Sequence, residues 1–481
     1  MNRRDFLKST LAAAVRPGKR QPNILVIMTD EHNPRVAGFH GNSLARTPHL
    51  DRLAERGVTF EHAYCNSPLC VPSRLSFTAG KYIHRISAWN NSCRLPSDDH
   101  PSLPHLLNGV GYESFLCGKQ HYDAAHRYGF VEIGGNMNSS NMTGRGGRRA
   151  ADDESVNVKS CRDRTKDFHP GDDSSILSHD RRVTAGALDL ISRRKRAKKP
   201  FFLFLGYLAP HFPLIVPERY WRRFEKKVPM PEIPDGFLDG MPLNYKHLRR
   251  GFGLPNMDAA ATRRGRELYH GLTEWVDDEI GKVLGALDRS RLARDTVVVY
   301  TADHGENMGE HGLWWKNCVY EQAARVPLIV SWPERWKGGQ RRAGACSTVD
   351  LVRTLAEIGG TRTPDDWDGT SMTRWLDDTK SPWKDRAVSQ YYGHNIASGF
   401  AMLRTGDWKY VYHSAPDASH PAERELYNLK DDPGEFRNLA KESAHGSRIQ
   451  TMHAALVKEL GEHPDESEQR CRAETARGYD G

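Results

Sequence analysis

Several short polar clusters in this chain hold residue types that do chemistry. Thr29-Asp30-Glu31-His32 and Thr301-Ala302-Asp303-His304-Gly305 bring carboxylates and imidazoles from two distant segments. Such a set suits a hard divalent cation, Ca2+ or Mg2+. Taken singly, each segment reads as well as a capped turn, with the Asp bonding its own backbone. Between them lies Cys65-Asn66-Ser67-Pro68-Leu69-Cys70-Val71-Pro72-Ser73-Arg74, where Cys70 is either an inert small hydrophobe or a nucleophile. Gly118-Lys119-Gln120-His121 offers an ammonium and an imidazole that an extended segment would present on one side. Pro210-His211-Phe212-Pro213 adds a His, and Gly309-Glu310-His311-Gly312-Leu313-Trp314-Trp315-Lys316 adds a Lys. Lys, Arg and a cation gathered at one centre would neutralise a reacting anion, with His moving protons.

Cys70-Val71-Pro72-Ser73-Arg74 resembles the C-x-P-S-R signature of the formylglycine-dependent sulfatases, within the alkaline-phosphatase-like superfamily. The G-K-x-H, P-H-x-P, D-H-G and G-E-H-G-L-x-x-K clusters follow in that family's order. The likeness runs from about residue 22 to 440, and Tyr64 to Cys70 is similar to the choline-sulfatase-like branch. It implies that a formylglycine-generating enzyme oxidises Cys70 to formylglycine, whose hydrate attacks sulfur. The implied metal is Ca2+, with Mg2+ or Mn2+ as alternatives, held by Asp30, Glu31, Cys70, Asp303 and His304. Glu31 stands where many relatives have Asp or Gln. The implied catalytic set is Cys70, Arg74, Lys119, His121, His211 and Lys316. Within it Arg74, Lys119 and Lys316 neutralise the sulfate oxygens, His211 with Lys316 protonates the departing alkoxide, and His121 takes a proton from the second hydroxyl. The implied reaction splits a sulfate ester of a small molecule or glycan into alcohol and inorganic sulfate. Two other readings stay open. One is a phosphonate monoester or phosphodiester hydrolase of the same superfamily; the other is a non-catalytic binder of sulfated polymers in which Cys70 remains a thiol.

The elements that must position these clusters are legible from apolar runs. Asn23 to Met28, Gly111 to Cys117, Phe201 to Leu205, Thr296 to Tyr300 and Val326 to Val330 read as buried strands, four of them ending directly in a polar cluster. Helical patterning over Thr47 to Ala54, Asp180 to Arg194, Glu267 to Leu287 and Asp350 to Ile358 alternates with them. Ser73 to Phe77 reads as a helix opening. The fold class is therefore α/β: a large doubly wound mixed sheet flanked by helices, with ligands expected at its carboxyl edge. Shorter strands near 408–412 and 425–429 and a helix near 447–460 predict a smaller C-terminal α+β domain. The expected division is 1–20, 21–380 and 381–481. Residues 131–175 and 225–257 show little periodicity; the first reads as a functional or disordered polar insertion.

With 481 residues, 38% hydrophobic and 27% charged, the chain has ample material for a core. A net charge of +8 fits an anionic substrate, whereas no nucleic-acid module accompanies it. No apolar run approaches a membrane span. The eight Cys show no metal-binding spacing and could form one or two disulfides in an exported protein. Asn2-Arg3-Arg4-Asp5-Phe6-Leu7-Lys8, followed by a short apolar stretch, resembles a twin-arginine export signal and predicts a periplasmic or extracellular location.

Overall fold

The computed structural model describes residues 21–135, 137, 147–194 and 197–477. The export-signal reading of residues 1–20 lies outside the described residues.

Asn23–Asp30 is apolar along most of its length and buried throughout, as a central strand must be. It pairs in parallel with Phe201–Pro210 on one side and Thr296–Ala302 on the other. The full sheet runs Gln340–Ser347, Val58–Tyr64, Arg325–Ser331, Thr296–Ala302, Asn23–Asp30, Phe201–Pro210, Glu113–Gly118, Val131–Glu132. All pairings are parallel except the two made by Arg325–Ser331, which makes the sheet mixed.

Alternate residues of the central strands face two separate cores. Leu25, Ile27, Leu203 and Leu205 pack with Ile176, Val183 and Ala187 of the Ser175–Arg194 helix and Leu272, Val276 and Ile280 of Ala259–Arg289. Ile24, Val26, Phe202 and Phe204 pack with residues of Cys70–Ala79, Leu103–Gly109 and Thr348–Ile358 on the opposite face. Helices on both faces make the sheet doubly wound, as the strand–helix alternation predicts.

The C-terminal part forms its own antiparallel sheet, Arg386–Tyr391, Phe400–Thr405, Trp408–His413 and Glu423–Asn428, covered by Gly446–Leu460. It is bolted to the large sheet through buried polar groups. Lys409 Nζ meets Glu321 at 2.7 Å and Glu435 at 2.6 Å, and donates to Val319 O at 2.9 Å. Asn66 donates to Val388 O and accepts from Thr348 and Val349, fixing the segment that leads into Cys70.

Several elements differ from the sequence reading. Val58–Tyr64 and Gln340–Ser347 are strands whose polar residues (Glu61, His62, Arg341) hide the pattern near the sheet's edge. The 225–257 stretch contains the helix Leu243–Gly251, with Tyr245 and Leu248 buried. The described part of 131–175 contains the helix Val158–Thr165. All eight cysteines are free thiols, and among the described residues no helix is long and apolar enough to cross a membrane.

Candidate active site

Neighbouring parallel strands deliver four of the clusters to one edge. Asn23–Asp30 ends in Asp30 and leads to Glu31; Thr296–Ala302 leads to Asp303 and His304. Glu113–Gly118 leads to Lys119 and His121, and Phe201–Pro210 to His211. Backbone contact there is close: Lys119 N donates to Gly206 O at 2.8 Å, and a Cβ on Gly206 would lie 1.8 Å from Lys119 O. Val58–Tyr64 runs the same way and hands the chain to Cys70, the first residue of Cys70–Ala79. Glu31 and His121 both adopt positive φ, 68° and 58°. Such conformations cost on the order of 1–3 kcal/mol each and persist where surrounding bonds dictate them. Here Glu31 N donates to Asp303 Oδ1 at 3.1 Å, and Tyr269 donates its OH to Glu31 O.

Cys70 Sγ lies 3.2 Å from His304 Nε2 and 3.8 Å from Asp30 Oδ1. Asp30, Cys70, Asp303 and His304 each place one ligand atom within 4.8 Å of the others, all buried. Arg74 is fully buried beneath them. Its Nε donates to Asp303 Oδ2 at 2.8 Å, one terminal nitrogen to Lys119 O (2.6 Å) and Gln120 Oε1 (3.3 Å), and the other reaches Asp30 Oδ2 at 3.5 Å. With its donors turned to protein acceptors, Arg74 positions the carboxylates; it does not line the cavity where an anion would sit. Lys119 pairs with Asp30, and Lys316 Nζ lies 3.3 Å from Glu31 Oε2. His211 Nε2 lies 3.4 Å from the same Glu31 oxygen, while its Nδ1–H donates to Phe212 O.

Burial and the local cations set the protonation states. Burial pushes the Cys70 thiol up to about 11, so as a cysteine it is protonated. Burial takes His304 down to about 3; Nδ1–H donates to Gly305 O and the Nε2 lone pair faces Cys70. Burial, then Lys119 and Arg74, hold His121 well below its ordinary value; burial, then Lys316 and Lys119, do the same to His211. Asp303 lies below the usual carboxylate range despite burial, because Arg74 and His304 face it. Lys316 is raised although burial opposes it, through Cys70, Glu31 and Asp303, and stays charged.

The residues fit a divalent cation. Three buried carboxylates are the oxygen donors a hard ion takes, and the neutral imidazole of His304 adds a nitrogen lone pair beside them. Both Glu31 carboxyl oxygens are buried, with Lys316 and His211 within ion-pair range. Burial pushes this carboxyl well up, with Lys316 opposing and the neighbouring Glu306 carboxyl adding to the rise. Two buried carboxyls side by side are costly to ionise unless a cation meets them.

Above this floor opens a cavity of about 480 Å³, lined by Cys70, Lys119, His121, His211 and Lys316. Among the described residues no Asp or Glu lines it. The sequence reading missed the rest of the wall: Asn91, Asn157, Ser160, Arg164, Phe252, Asn317, His394 and Asn395. Asn157, Ser160 and Arg164 fall in the polar 131–175 insertion and Phe252 in the irregular 225–257 stretch, Asn317 directly follows the Gly309 to Lys316 cluster, and Asn91, His394 and Asn395 belong to no motif. The wall segments hold one another. Asn157 N donates to Arg250 O at 2.9 Å, Asn395 N to Gly147 O at 3.2 Å and Arg149 N to Ile396 O at 2.9 Å.

A family model described as sulfatase matches residues 22–361, and one described as N-sulphoglucosamine sulphohydrolase, C-terminal, matches 309–462. The chain is 27% identical over 440 residues to a choline-sulfatase of Rhizobium meliloti (strain 1021), covering 88% of this chain and 83% of that protein. Its fold is similar to the crystal structure of a phosphonate monoester hydrolase of Agrobacterium radiobacter, with TM-score 0.74, 20% identity and coverage of 92% and 95%. It is also similar to a structure solved in complex with its substrate D-glucosamine-2-N,6-O-disulfate, with TM-score 0.71, 21% identity and coverage of 96% and 100%.

Proposed function

The chain belongs to the sulfatase family of sulfuric ester hydrolases, and from that premise we propose that it cleaves a sulfate ester of a sulfated carbohydrate, with Cys70 converted to formylglycine. The observation that carries this reading is Cys70 itself: it opens a helix, faces His304 and Asp30, and lies at the floor of a cavity with cationic and, among the described residues, no acidic lining.

Asp30, Glu31, Asp303 and His304 would hold the divalent cation, beside the residue made from Cys70. When bound, such a cation withdraws charge from the sulfate oxygens and lowers the pKa of an attached hydroxyl. The aldehyde hydrate of formylglycine supplies a hydroxyl nucleophile and a second hydroxyl through which the residue can be regenerated. The chain's own groups do the rest. Lys119 and Lys316 line the cavity and balance the sulfate's charge. Arg74 holds Asp30 and Asp303 in place from below. His121, neutral at rest with Nδ1 unpartnered, is a base beside Cys70 in the same cavity. Lys316 brings positive charge to the leaving oxygen, and His211 presents Nε2 there; its affinity for a proton rises when an anion arrives. The amide-rich wall, with Trp315 and Phe252, supports a hydroxylated ring as the alcohol part.

The test begins with protein co-expressed with a formylglycine-generating enzyme. Fragment masses of the tryptic peptide Gly57 to Arg74 should show an aldehyde at Cys70 and a thiol at Cys65, which is buried elsewhere. That protein should hydrolyse aryl sulfates faster than matched phosphonate monoesters, and Cys70→Ala should abolish turnover without lowering Tm. A faster phosphonate reaction would favour the other hydrolase, and undiminished activity in Cys70→Ala would refute the nucleophile.

A further inference from the structure

Asn317 follows Lys316 directly and lines the same cavity, yet no role falls to it in the chemistry above. Its backbone lies at φ 82°, a left-handed conformation that asparagine tolerates. Its N–H donates to Pro68 O at 3.1 Å, in the segment that leads into Cys70. Its side-chain Nδ2 donates to the Tyr391 hydroxyl at 2.8 Å. Tyr391 is fully buried at the end of the Arg386–Tyr391 strand and gives its single proton to His394 O at 2.9 Å. The hydroxyl therefore accepts from Asn317, which fixes the amide with Nδ2 towards the protein and Oδ1 on the other side. Asn317 is 1% exposed, and among the described residues no donor reaches its Oδ1. Tyr391 does not line the cavity, so Oδ1 is the atom that Asn317 presents to it.

An acceptor in this place stands apart from its neighbours. Lys119 and Lys316 donate to the sulfate, whose oxygens are themselves acceptors and cannot pair with Oδ1. The partner of Oδ1 must be a donor on the alcohol portion of the substrate. Consecutive Cα atoms are about 3.8 Å apart, so that donor lies close to the leaving oxygen that Lys316 meets. We propose that Asn317 reads a ring hydroxyl on the carbon next to the scissile sulfate ester, with Oδ1 accepting its O–H. This rests on the sulfatase reading of the site. A buried carbonyl left without a donor loses its hydration uncompensated, so an alcohol lacking that hydroxyl is rejected. Asn317 is a specificity-determining residue and takes no part in bond breaking.

The positional monosulfates of a methyl hexopyranoside are titrated calorimetrically into Cys70→Ala, and the tightest binder is taken forward. Its deoxy and deoxyfluoro analogues at each flanking hydroxyl are then assayed with wild type co-expressed with a formylglycine-generating enzyme. Wild type should lose roughly 10- to 100-fold in kcat/KM on one deoxy analogue, chiefly through KM, and as much on the matching fluoro analogue, whose fluorine cannot donate. Asn317→Leu should treat parent and deoxy esters alike. Tyr391→Phe, which releases Nδ2 and lets the amide turn, should narrow the gap part of the way. Equal losses on parent and deoxy esters through Asn317→Leu, as a merely structural role would give, overturn the proposal. So does a wild type that tolerates every deoxy analogue, a fluorine that restores activity, or a set of which none binds. A tightest binder sulfated at the primary hydroxyl, whose neighbouring carbon bears no hydroxyl, overturns it as well. Binding of parent and deoxy esters to Cys70→Ala, with and without Asn317→Leu, separates the two ideas. An affinity difference without hydrolysis of any sulfate ester by wild type keeps Asn317 and sinks the sulfatase reading; hydrolysis without the difference does the reverse.

Discussion

Lys409→Met probes the joint between the two sheets. Lys409 is fully buried, and among the described residues Glu435 has no other cation within ion-pair range, whereas Glu321 also has Arg325 at 3.6 Å. Methionine nearly matches the lysine stem in volume, so the change removes charge and three polar contacts while leaving little void. Taking one partner from a buried ion pair costs about 3–5 kcal/mol, because the other charge stays buried. Unfolding entropy of about 2.1 cal/mol/K per residue gives on the order of 1 kcal/mol/K for this chain, so Tm should fall by about 3–5 °C. Burial already holds the Glu435 carboxyl up, at about 7, against the pull of Lys409. Without Lys409 its folded pKa rises further, so the native state keeps a proton that the unfolded state releases above about pH 4.5. Stability then declines as pH rises, and the Tm deficit should be larger near pH 8.5 than near pH 6. Scanning calorimetry reads both, and Lys409→Met with Glu435→Gln should recover at least half of the loss. A Tm change under about 1 °C, or a double variant no better than the single one, would refute the reasoning.

Glu31→Gln keeps the shape of the side chain and removes one carboxylate; Ca2+ titration of chelator-treated protein should show an affinity at least roughly tenfold weaker, and an unchanged affinity would exclude Glu31 as a ligand. The acid limb of stability should begin early. His270 and His311 are buried and held neutral, at about 4 and about 3 against an ordinary 6.5, chiefly by desolvation. Between about pH 6.5 and 4 the unfolded chain binds more protons than the native one, so stability is lost as pH falls through that window. Tm recorded from pH 7.5 downwards should decline before the carboxylates titrate, and His270→Gln should flatten the slope.

The floor of the site was legible because its physics is local and repeated. A buried strand must be apolar, the edge where it ends must turn polar, and the run from Asn23 into Asp30-Glu31 shows both in eight or nine letters; Phe201 to His211 and Thr296 to His304 do the same. Arg74 came from the resemblance of Cys70 to Arg74 to the sulfatase signature, which implied a place for it on the sulfate oxygens; only its contacts show that its donors are turned to Asp303, Lys119 O, Gln120 and Asp30. Edge strands such as Gln340–Ser347 carry exposed arginine and so lose the apolar signature. The wall was hidden for a different reason. Arg164, Phe252 and Asn395 come from parts of the chain that gain their shape from each other, through bonds such as Arg149 to Ile396 and Asn157 to Arg250. No window of sequence contains both partners.

That mutual anchoring bears on how selectivity could be moved between proteins of this kind. A donor insertion grafted at 147–165 would arrive with backbone donors and acceptors cut to another scaffold's 250 and 395–396. Arg149, Asn157 and Asn395 would then each need a replacement acceptor. Chimaeras should therefore be built with the three segments exchanged as a set, leaving the strand ends beneath them untouched. Exchanging one alone would more readily uncouple the rim than retune it.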